Sequence, residues 1–141
     1  MSLDALDAAV LAHLRADPVI GGNVWWAVAP PGVDDAFVIV DQLAHEADPV
    51  MPASTVFERV TYLVKAVVAG PDPSTWGIPA GERIQELLEG RLDIPVDGYV
   101  IRNLRRTHRV RITEIDEGTD ARWQHYGGHY EVTAAPVEAV P

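Results

Sequence analysis

YVIRNLRRTHRVRITEI, residues 99–115, and ARWQHYGGHYEVT, residues 121–133, form the stretch on which the fold turns. Between them lies Asp116-Glu117-Gly118-Thr119-Asp120, built of residues that reverse a chain. The two segments therefore read as the strands of one hairpin from Tyr99 to Thr133. Parity adds a constraint. Side chains alternate faces along a strand, and Trp123 is odd-numbered where Tyr130 and Val132 are even. For all three to share a core face, Gly127-Gly128 must insert one extra residue, so a bulge is expected there.

Outward from the hairpin, Val56–Ala69 is the longest strand signal. Val60, Tyr62, Val64, Ala66 and Val68 alternate on one face, and Arg59, Thr61 and Lys65 mark the other. Its fourteen residues span roughly 46 Å, long for a domain of this size. Such a strand twists strongly or extends into an assembly. Before it, Phe37–Leu43 (FVIVDQL) is apolar on both faces until Asp41, as in strands that are central or covered on both sides. His45–Thr55, with Pro49 and Pro52, reads as a loop carrying Val50 and Met51. It is either a flexible loop or an arm that reaches a neighbouring subunit.

Val24–Val28 reads as a short strand after the Gly21-Gly22-Asn23 turn, stopped by Ala29-Pro30-Pro31-Gly32. Its adjacent tryptophans, Trp25 and Trp26, must point to opposite faces. One enters the core, and the other faces solvent, the next layer or a partner. Residues 3–16 form a helix, with Leu3, Leu6, Val10 and Leu14 on one face, Ser2 as N-cap and Asp17-Pro18 as its end. Asp72-Pro73 resembles a helix start, but Gly77 and Pro79 interrupt it. An irregular turn through Trp76 is expected, then a helix from about Pro79 to Gly90 with Ile84, Leu87 and Leu88 as its stripe. The order predicts an α+β fold: a mostly antiparallel sheet of about five strands with two helices packed on one face. Residues 1–136 read as one domain and 137–141 as a tail.

The 141 residues suffice for one core. No run approaches the ~18 apolar residues of a membrane span. The N-terminus carries acids where an export signal carries bases, so export by that route is not expected. The absence of cysteine excludes disulfides, thiol catalysis and cysteine-ligated zinc, and suits an intracellular origin. The net charge of −10 is unevenly placed: residues 1–98 hold fifteen acids and five bases, whereas 99–141 hold six of each. Five of those bases crowd into Arg102, Arg105, Arg106, Arg109 and Arg111. This is not the net basic surface of a general nucleic-acid binder. The arginines either meet acids across the sheet or on a neighbouring subunit, or contact phosphate.

No catalytic, metal or cofactor site is expected. His125 and His129 would lie roughly 13 Å apart along a strand, too far to share an ion. His13, His45 and His108 lie in three other elements without ligand spacing. No nucleophile elbow, phosphate loop or dinucleotide fingerprint is present.

Element order together with NVWWAVAPPG, FVIVDQL, ERVTYLVKAVVAG and WQHYGGHYEV resembles the small tail-completion or tail-terminator proteins of long-tailed phages. The ending Gly127-Gly128-His129-Tyr130-Glu131-Val132 is similar to versions from phages of actinobacteria. The resemblance implies a structural virion protein, made in the host cytoplasm and located in the phage tail or neck. It implies a homohexameric ring at the head-proximal end of the tail tube, which stops tube polymerisation. Its partners would be other copies of itself, the tail tube protein and the head–tail connector. DNA would pass through the channel without specific binding. The family has no catalytic residues to carry over. Within a ring, Trp25, Trp26, Val50, Met51, Arg102, Arg105, Arg106 and Arg109 are the expected subunit-interface residues, and acids are expected to line the channel. The competing readings are a head-closure or connector adaptor of the neck, and a free-standing small α+β binding domain.

Overall fold

A computed structural model describes residues 3–30, 36–50, 55–70, 76–115, 117–118 and 122–137. Helix α1, Leu3–Arg15, buries Leu6, Val10 and Leu14 and so realises the stripe written in its sequence. Strands β1 (Val24–Trp26), β2 (Ala36–Val50) and β3 (Thr55–Ala69) follow, then helix α2 (Gly77–Leu88), β4 (Tyr99–Ile115) and β5 (Arg122–Pro136). They form one five-stranded sheet in the order β1-β2-β3-β5-β4, with β1 parallel to β2 and every other pair antiparallel. This is the expected α+β arrangement.

One face of the sheet holds the core. Val38 and Val40 of β2, Val60, Tyr62, Val64 and Ala66 of β3, and Tyr130 and Val132 of β5 are buried there against α1 and the Ala80, Ile84, Leu87 and Leu88 face of α2. Two polar ties lock the helices down. Asp7 of α1 accepts the Tyr62 hydroxyl at 2.5 Å, and Gln85 of α2 accepts the Tyr130 hydroxyl at 2.8 Å. Burial pushes the Tyr130 phenol up to about 12, with Arg106 opposing. The loop after α1 is fixed by buried Asp17. Its carboxylate receives the Val19 and Ile20 amides at 3.1 Å each and the Arg83 guanidinium of α2 at 2.9 and 2.5 Å.

The structure corrects four expectations. First, residues 45–50 are strand, not loop: β2 and β3 form an antiparallel ladder as far as Val50↔Thr55. Pro49 is tolerated because β1 ends opposite Val40, so the outer side of β2 needs no amide at residue 49.

Second, Gly127-Gly128 is not a bulge. Gly127 pairs with Lys65 and Val110, and Gly128 with Val64 and Arg109, without slippage. The register shifts fall at Leu43 in β2 and at Arg102 and Thr107 in β4. The glycines serve close approach instead. A Cβ on Gly127 would sit 2.5 Å from Lys65 Cα, and one on Gly128 would sit 2.6 Å from the His108 carbonyl. Trp123 needs no parity device, because it packs on the face opposite Tyr130, with its ring 6.3 Å from Phe37.

Third, α2 begins at Gly77, so Pro79 lies inside its first turn, where a missing amide hydrogen costs no helical bond. The helix closes through Gly90 at φ +72°, whose amide donates to Leu104 O at 2.8 Å. Fourth, β1 stops at Trp26 because Ala27 adopts a left-handed conformation at φ +62°. The expected caps Ser2 and Asp72-Pro73 lie outside the described residues.

Candidate subunit interface

The two tryptophans divide as their adjacency requires. Trp26 enters the core side, edge-on to Tyr62 at 6.3 Å. Trp25 points to the other face at the sheet margin, with Arg15 Cζ 5.7 Å from its ring and its buried Nε1 without a hydrogen-bond partner among the described residues. Only Trp25 is therefore placed for contact beyond the core.

The sheet face away from the helices carries a second apolar set. Ile39 and Val67 are buried there, Phe37, Leu63 and Trp123 are half-buried, and Ile112 is 52% exposed. Cross-strand neighbours place His125 in the row Phe37–Val67–His125–Ile112. Burial, then the Lys65 charge, pushes the His125 imidazole below its ordinary value. Glu114 opposes this from 3.0 Å without hydrogen-bond geometry. His129 is lowered too, first by burial and then by His108, whose ring lies 5.2 Å away. Among the described residues no helix covers this face, and no group of three His, Asp or Glu side chains could hold a metal ion.

The arginines of β4 are divided by the register shifts. Arg105 lies on the open face, 3.7 Å from Glu131. Arg106 lies on the helix side, and its amide donates to Glu89 at 2.5 Å. Arg109 and Arg111 also face the helix side, with Arg111 5.3 Å above the Tyr126 ring. Together with Arg106 they form one wall of a cleft of about 340 Å³, opposite Glu82 and Glu86 of α2. Among the described residues Arg102 and Arg109 have no acidic partner. Val50 closes β2 through its backbone, but its side chain and the whole of Met51 lie outside the description.

Sequence reasoning brought forward Trp25 and the arginines, but not Phe37 and Trp123 as an open-face pair. The signal was the parity of Trp123, read as a defect to be repaired instead of as a residue on the other face.

A mostly antiparallel five-stranded sheet of order β1-β2-β3-β5-β4, with long strands and two helices on one side, defines the fold. The chain shares this fold over nearly all of its length with a chain from a structure described as the virion of a native gene transfer agent particle. The TM-score is 0.68 at 18% identity, and the likeness covers 94% of this chain and 96% of that one. No family model matches, and no curated protein sequence matches.

Proposed function

We propose that this chain is a structural virion protein, a tail terminator or tail-completion protein that closes the head-proximal end of a phage tail tube as a ring. The observation that carries the reading is the end-to-end correspondence of its fold with a chain of a gene transfer agent virion. The surfaces agree with an assembled role. Among the described residues no helix covers one apolar sheet face, and Arg102 and Arg109 of β4 have no acidic partner. A closed ring needs two different complementary patches on each copy, and the open sheet face and the basic strand β4 are the candidates for them. Copies of a chain with net charge −10 create a strongly negative ring, suited to letting DNA pass without holding it, provided acids face the channel. In this reading the arginines meet acids of a neighbour, and the protein performs no chemistry.

The test is to image particles lacking the protein. Overlong tails without heads are the expected result. Tails of normal length would contradict the terminator role and favour a head-closure adaptor.

A further inference from the structure

Both margins of the sheet are open, and they are open at opposite ends. On one margin, β1 covers only Val38–Val40 of β2, and the Gln42 amide is taken by its own neighbour Asp41 at 2.9 Å. Beyond Gln42 the outer edge of β2 has no partner among the described residues. On the other margin, the outer edge of β4 is capped at Leu104 and Arg106 by Gly90 and Glu89. Beyond Arg106 it has no partner among the described residues either. Unpaired ladder groups of this length are templates for another strand.

Resting on the ring reading, we infer that the free edge of β4 in one copy pairs with the free edge of β2 in the next, so that the ring is one continuous belt of sheet. Three features of the chain support this. The first is sign. The β4 edge beyond Arg106 carries His108, Arg109 and Arg111 against the single acid Glu114, whereas the β2 edge beyond Gln42 carries Glu46 and Asp48 and no Lys or Arg. Two β4 edges, or two β2 edges, would repel. A β4–β2 joint would attract, and that joint is head-to-tail and closes by rotation. Glu46 lies on the open face and Arg109 and Arg111 on the helix side. Their charges therefore act across the seam within a Debye length of about 8 Å, not as fixed pairs.

The second feature is direction. Three successive antiparallel pairings separate β2 from β4, so the two run oppositely within a copy. Rotation about an axis near the strand direction preserves this, and the seam is antiparallel.

The third feature is stagger. Across the sheet, His108 is level with His129, Leu63 and Asp41. The two free edges run away from that level in opposite directions, so each copy must slide along its neighbour. Opposed residues must share a face, which permits only even slides. A slide of four residues sets His108 opposite Glu46, and a slide of six sets Val110 opposite Glu46. Over four strand spacings of about 4.8 Å these slides tilt the strands by about 35° and about 45°, which bracket the tilt of closed sheets.

The native chain has no cysteine, so paired cysteines report the seam directly. The variants are H108C/E46C, V110C/E46C and, with its side chains on opposite faces, R109C/E46C. Under mild oxidation, one of the first two should form a ladder of covalent multimers about tenfold more efficiently than the third. If neither cross-links above the third while the unmodified chain runs as a ring, the edge pairing is wrong and the ring stands. Covalent dimers from E46C alone would show a like-edge joint and overturn the proposal. If the unmodified chain stays monomeric, the ring and the seam both fall.

Discussion

Asp17 carries more of this molecule than its place at a helix end suggests. Its carboxylate joins two backbone amides after α1 to Arg83 on α2, in a side chain only 1% exposed. Arg83 hydrogen bonding holds its pKa below the ordinary value, against the opposing pull of burial. A carboxylate lowered on folding contributes stability above its unfolded pKa, near 3.8, and loses it as pH falls through the folded value. Asp17→Ala should cost about 2 kcal/mol and lower the melting temperature by about 4–8 °C at neutral pH. The difference from the parent should shrink progressively in melts taken at successively lower pH below about 4, as the parent loses the same contribution. Nothing in the sequence singles out Asp17 and Arg83 as partners, since 66 positions separate them.

At the scale of elements, period-two and helical patterns were legible wherever a face is buried. Val60, Tyr62, Val64 and Ala66 alternate into the core, and Ile84, Leu87 and Leu88 give α2 its stripe. The far half of β2, HEADPV, reads as loop in the sequence because His45 to Ala47 are exposed and no core imprints alternation on them. The Gly127-Gly128 pair misled for a related reason. Glycine marks close backbone approach as readily as a bulge, and only the register separates the two. The basic strand β4 is the element on which the proposed assembly turns. Its Arg105–Glu131 contact is exposed and weak within one chain, leaving Arg105 available to a neighbour. Replacing Arg105 and Arg106 together by Glu should leave the circular dichroism spectrum of the fold intact and shift the assembled species toward monomer by light scattering. An unchanged assembly would remove Arg105 and Arg106 from the interface.

The whole molecule has an asymmetry that no single element explains. One face of its sheet is sealed by two helices, while the other shows Phe37, Leu63, Trp123 and Ile112, and among the described residues both margins end in unpaired strand. The five-stranded α+β architecture was legible from patterning, but which faces and edges stay open was not, because that depends on strand order and register. In the proposed ring, copies of the same chain cover these margins. The mass of the purified chain in solution, followed by native mass spectrometry or light scattering as concentration rises, tests this most directly. The expected result is one closed species of six copies with no ladder of larger ones. A chain that remains monomeric at every concentration, alone and with tail tubes added, would contradict it.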